Sequence, residues 1–201
     1  MNFDYIQDVK PETEELTGLF QSLYHTLQNA EELYWDKPQK SGRLLRKATE
    51  EICHIYNVYY EIGFSRTASL EDYLCYTKDE AHNMMVSRFL SVVRSEQRDR
   101  LEWLRVWGDE CVFMDANPDE IAATQDKLYL NVKKMMVHMM ECTREMCIKI
   151  YKLSGLESYS FHEEILPGYL SEEEKEQLEE ERQMEERKKR FSFFRKKNNS
   201  E

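Results

Sequence analysis

The sequence is poor in the residues that build turns, with only 6 glycines and 4 prolines among 201 residues. This scarcity argues against a turn-rich β protein. No run of about 18 apolar residues occurs, so we expect no transmembrane helix. The first residues contain Asp4 and Asp8 and no apolar stretch, so we expect no signal peptide.

Cysteine is also scarce, and its spacing excludes two common uses. The five cysteines are an odd number and form no Cys-x-x-Cys motif, which argues against a disulfide framework and a zinc site. No other motif for a metal or a cofactor is present, so we expect neither. Four cysteines fall within helical patterns and are interpreted as small buried residues of a reduced, cytoplasmic protein, namely Cys53, Cys111, Cys142 and Cys147.

The net charge of −11 is unevenly distributed along the chain. Residues 188–201 carry a net charge of +5, so residues 1–187 carry −16. An acidic body repels nucleic-acid phosphate, so we do not expect it to bind nucleic acid. Only the basic C-terminal end is an electrostatic candidate for an anionic membrane or for nucleic acid.

Helical periodicity extends over most of the chain. The longest pattern covers 117–155, where Asn117 is a candidate N-cap, Pro118 suits the first helical position and Gly155 is a candidate stop. Apolar residues recur there at steps of three and four. We therefore predict one long helix against which the other helices pack. Shorter helices are predicted over 12–35, 39–62, 69–76, 83–93 and 101–112.

These patterns predict an all-α fold, an antiparallel bundle of four to five main helices. Residues 94–100 are ambiguous, because they either continue the preceding helix or begin a new one capped by Ser95. The expected organisation is a lead-in over 1–11, the bundle over 12–156, an extended docked segment over 157–170, and a charged tail over 171–201 that is helical or disordered.

Two features of the predicted helices involve polar or small residues. Arg46 and Glu50 are four residues apart and are expected to form an ion pair worth about 0.2–0.5 kcal/mol. Gly108 lies inside a predicted helix, where glycine costs about 0.5–1 kcal/mol relative to alanine. We interpret Gly108 as a sign of close contact with another helix.

Two short strings carry a family resemblance. The first runs from Leu104 to Phe113 and reads Leu-Arg-Val-Trp-Gly-Asp-Glu-Cys-Val-Phe. The second is Asp-Lys-Pro at 36–38 followed by Leu-Leu-Arg-Lys-Ala-Thr-Glu at 44–50. Together they resemble a HEPN-like helical domain of unknown function, found alone in bacteria and at the N-terminus of type I restriction-enzyme motor subunits. The resemblance covers about residues 12–153.

The resemblance implies where a catalytic site would lie. Catalytic HEPN domains are similar in cleaving RNA with an arginine and a downstream histidine, usually across a dimer. Arg105 and Gly108 match the family pattern, whereas Asp109 replaces the usual asparagine and Phe113 replaces the usual histidine. Phenylalanine cannot transfer a proton, so its presence removes the acid–base group.

Three functions follow as hypotheses. The first is a non-catalytic HEPN-like interaction module that binds a protein partner or a second copy of itself; the resemblance implies a bacterial source and a possible link to mobile elements or defence. The second is a metal-independent ribonuclease that uses Arg105 with an unusual base, for which His82 and His138 are candidates. In the alternative, structural interpretation, Arg105 binds helix-end carbonyls or a buried carboxylate such as Glu50.

The third hypothesis is a peripheral membrane adaptor tethered by residues 188–197. Cations attract anionic lipid and phenylalanine inserts into the membrane interface, although the same mixture also stacks on single-stranded nucleic acid or serves as solubilising charge. The residues concerned are Lys188, Lys189, Arg190, Phe191, Phe193, Phe194, Arg195, Lys196 and Lys197.

Overall fold

The computed structural model describes residues 1–171, 173, 174, 176, 177 and 184, and of residues 118–126 the backbone alone. Regular structure within these residues is helical, which confirms the prediction of an all-α fold. The elements in chain order are a 3-10 helix Asp4–Asp8, α1 Glu14–Glu32, α2 Pro38–Tyr59, α3 Leu70–Leu74, α4 Glu80–Val92, α5 Ser95–Ala116, α6 Pro118–Tyr151 and a 3-10 helix Glu163–Ile165.

The chain forms two compact units, Met1–Pro167 and Gly168–Glu201. In the first unit α2 is the central helix, because it contacts α1, α3, α4, α5 and α6. Its buried residues include Leu45, Ala48 and Ile52, none of which is exposed to solvent. The expectation that the long helix α6 organises the bundle was therefore wrong. Apolar periodicity identifies a buried face, but it does not say how many neighbours that face has.

The main helices pack with alternating directions. Arg100 of α5 bonds to Glu141 of α6 at 2.7 Å, and the Trp103 ring lies 4.8 Å from that of His138. The residue numbers rise along one helix as they fall along the other, so α5 and α6 are antiparallel. The hydrogen bond between Tyr56 of α2 and Gln97 of α5, at 3.1 Å, is one of several contacts that show that α2 and α5 are antiparallel as well.

Two glycines let α2 and α5 approach closely. A Cβ atom at Gly42 of α2 would overlap the Cys111 side chain of α5, and one at Gly108 would overlap Arg46. The helical glycine at position 108 is thus explained by a close helix contact. Its lower helix propensity is offset by the packing that this contact permits.

Several helix ends differ from the predictions. Asn117 makes no side-chain cap for α6; its side-chain amide instead donates to the Phe113 carbonyl at the end of α5, at 2.8 Å. The long helix ends at Tyr151, because Lys152 adopts a left-handed conformation with φ of 56° three residues before Gly155. Residues 94–100 begin a new helix, in which Ser95 is the first helical residue and not the cap.

The segment 1–11, interpreted from sequence as a lead-in, is part of the core. Phe3, Tyr5 and Ile6 are at most 4% exposed. The hydroxyl of Tyr5 bonds to that of Thr143 in α6 at 2.5 Å. A short 3-10 helix lacks the periodicity that would have predicted this burial.

The segment from Leu156 to Leu166 lies against the bundle through a few anchors. Leu166 is 4% exposed, and Asn2 accepts a hydrogen bond from the His162 N–H at 2.7 Å. Glu163 accepts one from the Tyr34 hydroxyl at 2.5 Å.

In the second unit, the Ser171 hydroxyl accepts a hydrogen bond from the Glu174 N–H at 3.3 Å, as the side chain of an N-cap residue does.

Candidate functional site

The two family-like strings meet where α2 crosses α5. Arg46 of α2 donates through Nε to Asp109 of α5 at 2.5 Å and through Nη1 to Glu50 at 2.7 Å. The pair expected between Arg46 and Glu50 thus forms within a larger network. Gly108 determines this geometry, because only a residue without a side chain lets Arg46 lie across α5 at that point.

Arg105 belongs to the same network. Its guanidinium donates to both Glu102 oxygens, at 2.6 and 3.0 Å, and to Glu71 at 3.2 Å. A longer bond, of 3.4 Å, joins it to Asp109. The hydrogen bonds from Arg105 hold the pKa of Glu102 below its ordinary value. Three carboxylates therefore hold Arg105, and neither Glu50 nor a helix-end carbonyl is among its hydrogen-bond partners.

Phe113 lies one helical turn beyond Asp109 of this network and two turns beyond Arg105. It follows Arg105 by eight residues, or about 12 Å along the helix axis. Its side chain is 50% exposed, whereas that of Arg105 is 20% exposed. The structure therefore brings together Arg105, Gly108 and Asp109 of the family-like motif, and it leaves Phe113 on the outer surface of α5.

The candidate replacement bases lie elsewhere. The His82 ring pairs with the Cys75 carbonyl at 3.1 Å, and His138 packs on Trp103 near Glu141. His54, one turn beyond Glu50, is closer to the network. Its Nδ1 pairs with the Tyr73 hydroxyl at 2.7 Å, and burial lowers the pKa of its imidazole.

A second surface feature was missed from the sequence. Four large apolar side chains stand exposed on adjacent helices: Val106 at 44%, Phe113 at 50%, Leu130 at 54% and Val137 at 38%. On each helix a charged residue lies between the apolar pair at helical spacing. We name this surface the α5–α6 face and define it by Val106, Glu110 and Phe113 of α5 and Leu130, Lys134 and Val137 of α6.

Two tryptophans lie on the α6 side of α5, next to this face. The Trp103 and Trp107 rings are 5.6 Å apart, and both are partly buried against the core. The Lys127 ammonium lies 6.0 Å from the Trp107 ring centre, within cation–π range. The repeated pattern of apolar, charged and apolar residues at steps of four and three was the signal in the sequence.

The remaining predictions concern a metal site, a transmembrane helix and the basic C-terminal segment. Among the described residues no group of three His, Cys, Asp or Glu side chains is placed to hold a metal ion. Within that part of the chain no helix combines the length and apolar content needed to cross a lipid bilayer. Residues 188–197, the basic and aromatic segment of the tail, lie outside the described residues.

Four of the five cysteines are buried, as interpreted from their place in the helical patterns. Burial raises the pKa of the Cys111 and Cys147 thiols to about 12. Such thiols are poor nucleophiles near neutral pH.

Comparison of the chain with protein-family models, with curated proteins and with solved structures gives no match.

Proposed function

We propose that the protein is a non-catalytic, HEPN-like helical interaction module that binds a protein partner through the α5–α6 face. The observation that carries this proposal is the state of Arg105. The arginine that the family resemblance assigns to RNA phosphate is bonded to Glu71, Glu102 and Asp109.

The electrostatics of the network support the non-catalytic part of the proposal. Four carboxylates surround two guanidinium groups, those of Arg46 and Arg105. If all are charged, this cluster carries −2 within a body that is itself acidic. A phosphate group would have to displace a carboxylate from Arg105 and would then face the remaining ones at short range.

The chemistry of RNA cleavage requires a proton carrier beside the phosphate-binding arginine. Phe113 cannot serve, because its side chain carries no group that can transfer a proton. The imidazole nearest the network along α2, that of His54, uses its Nδ1 in the contact with Tyr73. This arrangement supports a structural role for Arg105, in which it ties α5 to α3 through Glu71.

The interaction part of the proposal rests on the exposed apolar residues. Scattered apolar side chains are normal on a protein surface, but an ordered stripe on each of two adjacent helices is a feature of binding surfaces. The partly buried tryptophans beside the stripes add the residue type that contributes most at protein interfaces.

RNA cleavage tests this proposal. The purified protein, its Arg105→Ala variant and its Arg66→Ala variant are incubated with single-stranded and structured RNA without metal. Arg66 is exposed and pairs only with Glu15 in the described structure, so its variant controls for the loss of a positive charge. We expect no cleavage by any of the three. Cleavage that disappears in Arg105→Ala but persists in Arg66→Ala would refute the non-catalytic assignment.

A further inference from the structure

The start of α5 and the end of α6 border an open cavity of about 550 Å³. This volume lies within the range of roughly 300–1,000 Å³ that is usual for small-molecule sites. Five cationic side chains line the cavity: Arg94, Arg100, Arg144, Lys149 and Lys152. Because they come from the start of one helix and the end of the next, only the fold brings them together. The cavity is a local concentration of positive charge on a protein whose net charge is −11.

Four carboxylates also line the cavity, but they do not neutralise all of its cations. Glu141 and Glu145 form ion pairs of 2.7–3.8 Å with the two arginines near the start of α5. Glu96 and Glu157 are exposed, so water and salt screen their charges. The three cations near the end of α6 form no ion pair with any residue that the structure describes.

Those three cations bond to backbone carbonyls instead. Arg144 donates through Nη1 to two carbonyls of the segment that follows α6, at 3.2 and 2.7 Å. Lys149 donates to the Val92 carbonyl, and Lys152 donates to the Lys149 carbonyl at 2.8 Å. A carbonyl accepts a hydrogen bond but carries no net charge, so three positive charges at the cavity stay unbalanced.

Most of the N–H groups on these side chains remain available to a ligand. An arginine has five charged N–H donors and a lysine has three. Within the described part of the chain, Arg144 uses Nη1 alone, and Lys149 and Lys152 each make one hydrogen bond. Hydrogen bonds from such charged donors to phosphate or carboxylate oxygens are roughly twice as strong as those between neutral groups.

The cations also repel one another. Burial is the largest cause that lowers the pKa of the Lys149 ammonium; Glu145 opposes the shift, whereas the charges of Arg94 and Lys152 add to it. An anion in the cavity relieves this repulsion. The start of α5 favours an anion as well, because the N-cap residue Arg94 makes no side-chain cap for this 22-residue helix.

We infer that this cavity binds a small molecule that carries more than one phosphate group. The planar fork of arginine and the point charge of lysine are the side-chain donors that proteins use for phosphate. Arg144 and Lys152 are eight residues apart, or about 12 Å along the helix axis, so they are placed to contact successive phosphate groups. The inference goes beyond the proposed interaction function and does not depend on it.

The acidic body favours a small anion over a long one. A nucleic acid extends beyond the cavity and meets the negative charge of the surrounding surface. A small polyphosphate lies within about one Debye length of the cavity cations, so it experiences mainly their local field.

Binding of inorganic tripolyphosphate to the full chain tests the inference, measured by isothermal titration calorimetry at pH 7 and about 150 mM salt without divalent metal. We expect the wild type to bind and the Arg144→Gln/Lys152→Gln variant to have a dissociation constant raised at least about tenfold, because two charged donors are lost. The single Lys152→Gln variant changes an exposed residue and should raise the dissociation constant at least about threefold. It keeps the test decisive if the loss of Arg144 disturbs the fold, which circular dichroism monitors.

The basic C-terminal segment also attracts polyanions by its charge, so the matched control removes two of its cations. Lys196→Gln/Lys197→Gln changes the net charge by the same amount as the cavity variant and should bind as the wild type does. A wild type that does not bind, cavity variants that bind normally, or a tail variant that loses as much affinity as the cavity variant would each overturn the inference.

Two further probes identify the source of the phosphate groups. Inorganic phosphate should bind at least about tenfold more weakly than tripolyphosphate, since it makes fewer charged contacts; equal affinity would overturn the requirement for several phosphate groups. ATP that binds as tripolyphosphate does would support recognition of the phosphate chain alone. Tighter binding of ATP that is lost in the cavity variant would support a nucleotide as the ligand of the same site.

Discussion

Gly108 of α5 lies directly against the side chain of Arg46 of α2. A Cβ atom at position 108 would stand 2.5 Å from Cβ and 2.7 Å from Cγ of the arginine. These atoms are near the backbone of α2, so they cannot move aside as the end of a flexible side chain can. The contact brings together two stretches of the chain that are about 60 residues apart in sequence.

Gly108→Ala should therefore destabilise the protein. Alanine favours helix, but the overlap with Arg46 separates α2 from α5, and overpacking of this kind typically costs about 1–3 kcal/mol. The free energy of unfolding in urea is the measurement. Gly18→Ala is the matched control, because nothing lies within 4 Å of a Cβ at this exposed position in α1. That change should stabilise by about 0.5–1 kcal/mol. Equal effects of both substitutions would contradict the packing argument.

Arg105→Gln should lower the free energy of unfolding by about 1 kcal/mol at pH 7, as expected for a partly exposed ion-pair network. Arg66→Gln removes a single exposed pair with Glu15 and should have almost no effect. The difference between the Arg105 variant and the wild type should shrink with added salt. A loss of unfolding free energy as small as that of the Arg66→Gln variant would show that the Arg105 network contributes little to stability.

The same variant should change the response to acid. Hydrogen bonds from Arg105 lower the pKa of Glu102 in the folded protein. A carboxyl with a lowered pKa contributes stability above its unfolded pKa, and this contribution is lost as the pH falls through the folded pKa. The stability difference between the wild type and Arg105→Gln should therefore decrease between pH 6 and pH 3. A constant difference over this range would assign the effect to packing.

Glu31→Gln should stabilise the protein above neutral pH. Glu31 is buried, and burial raises the pKa of its carboxyl, although two hydrogen bonds from Asn2 to Oε1 oppose this. Between the unfolded and the raised folded pKa the native state binds more protons, so stability falls as pH rises. Glutamine keeps the acceptor for Asn2 without the charge. The free energy of unfolding, measured at pH 4 and pH 8, should exceed that of the wild type at pH 8. The control variant Glu32→Gln changes an exposed residue and should show no such gain.

Asn2→Ala should release the segment from Leu156 to Leu166. The Asn2 side chain accepts from the His162 N–H at 2.7 Å and donates to its carbonyl at 3.1 Å and to Glu31. Its loss leaves buried polar groups unpaired, at a cost of about 1–3 kcal/mol. Hydrogen exchange of the His162 amide is expected to accelerate, with Gln7→Ala, exposed in the same N-terminal segment, as the control. Unchanged exchange would mean that Leu166 and the hydrogen bond between Tyr34 and Glu163 hold the segment without Asn2.

Local features of the fold were well predicted where the signal lay within a few residues. The short helix predicted to begin at residue 69 is present, and Ser69 and Asp72 form a capping box there with both reciprocal hydrogen bonds. The apolar stripe of α1, which includes Phe20 and Leu23, is buried. The presence of a helix can be predicted from apolar periodicity, because a helix that buries one face needs an apolar residue there every three or four positions.

The candidate site was only partly predictable. The ion pair of Arg46 and Glu50 lies within one helix, so its spacing was enough. Glu71, which binds Arg105 from 34 residues away, could not be found, because only the crossing of helices brings the two together. The role of Asn117 was misjudged for a related reason, since an asparagine between two helices can serve the end of one or the start of the next.

By itself the sequence determined the helical class, the approximate positions of the helices and the absence of an acid–base group at Phe113, since each depends on local spacing or residue type. The tertiary structure decided that α2 is central, that carboxylates hold Arg105, and that the outer stripes of α5 and α6 form one face. These relationships arise from the packing of helices distant in sequence, and no local pattern encodes which helices become neighbours.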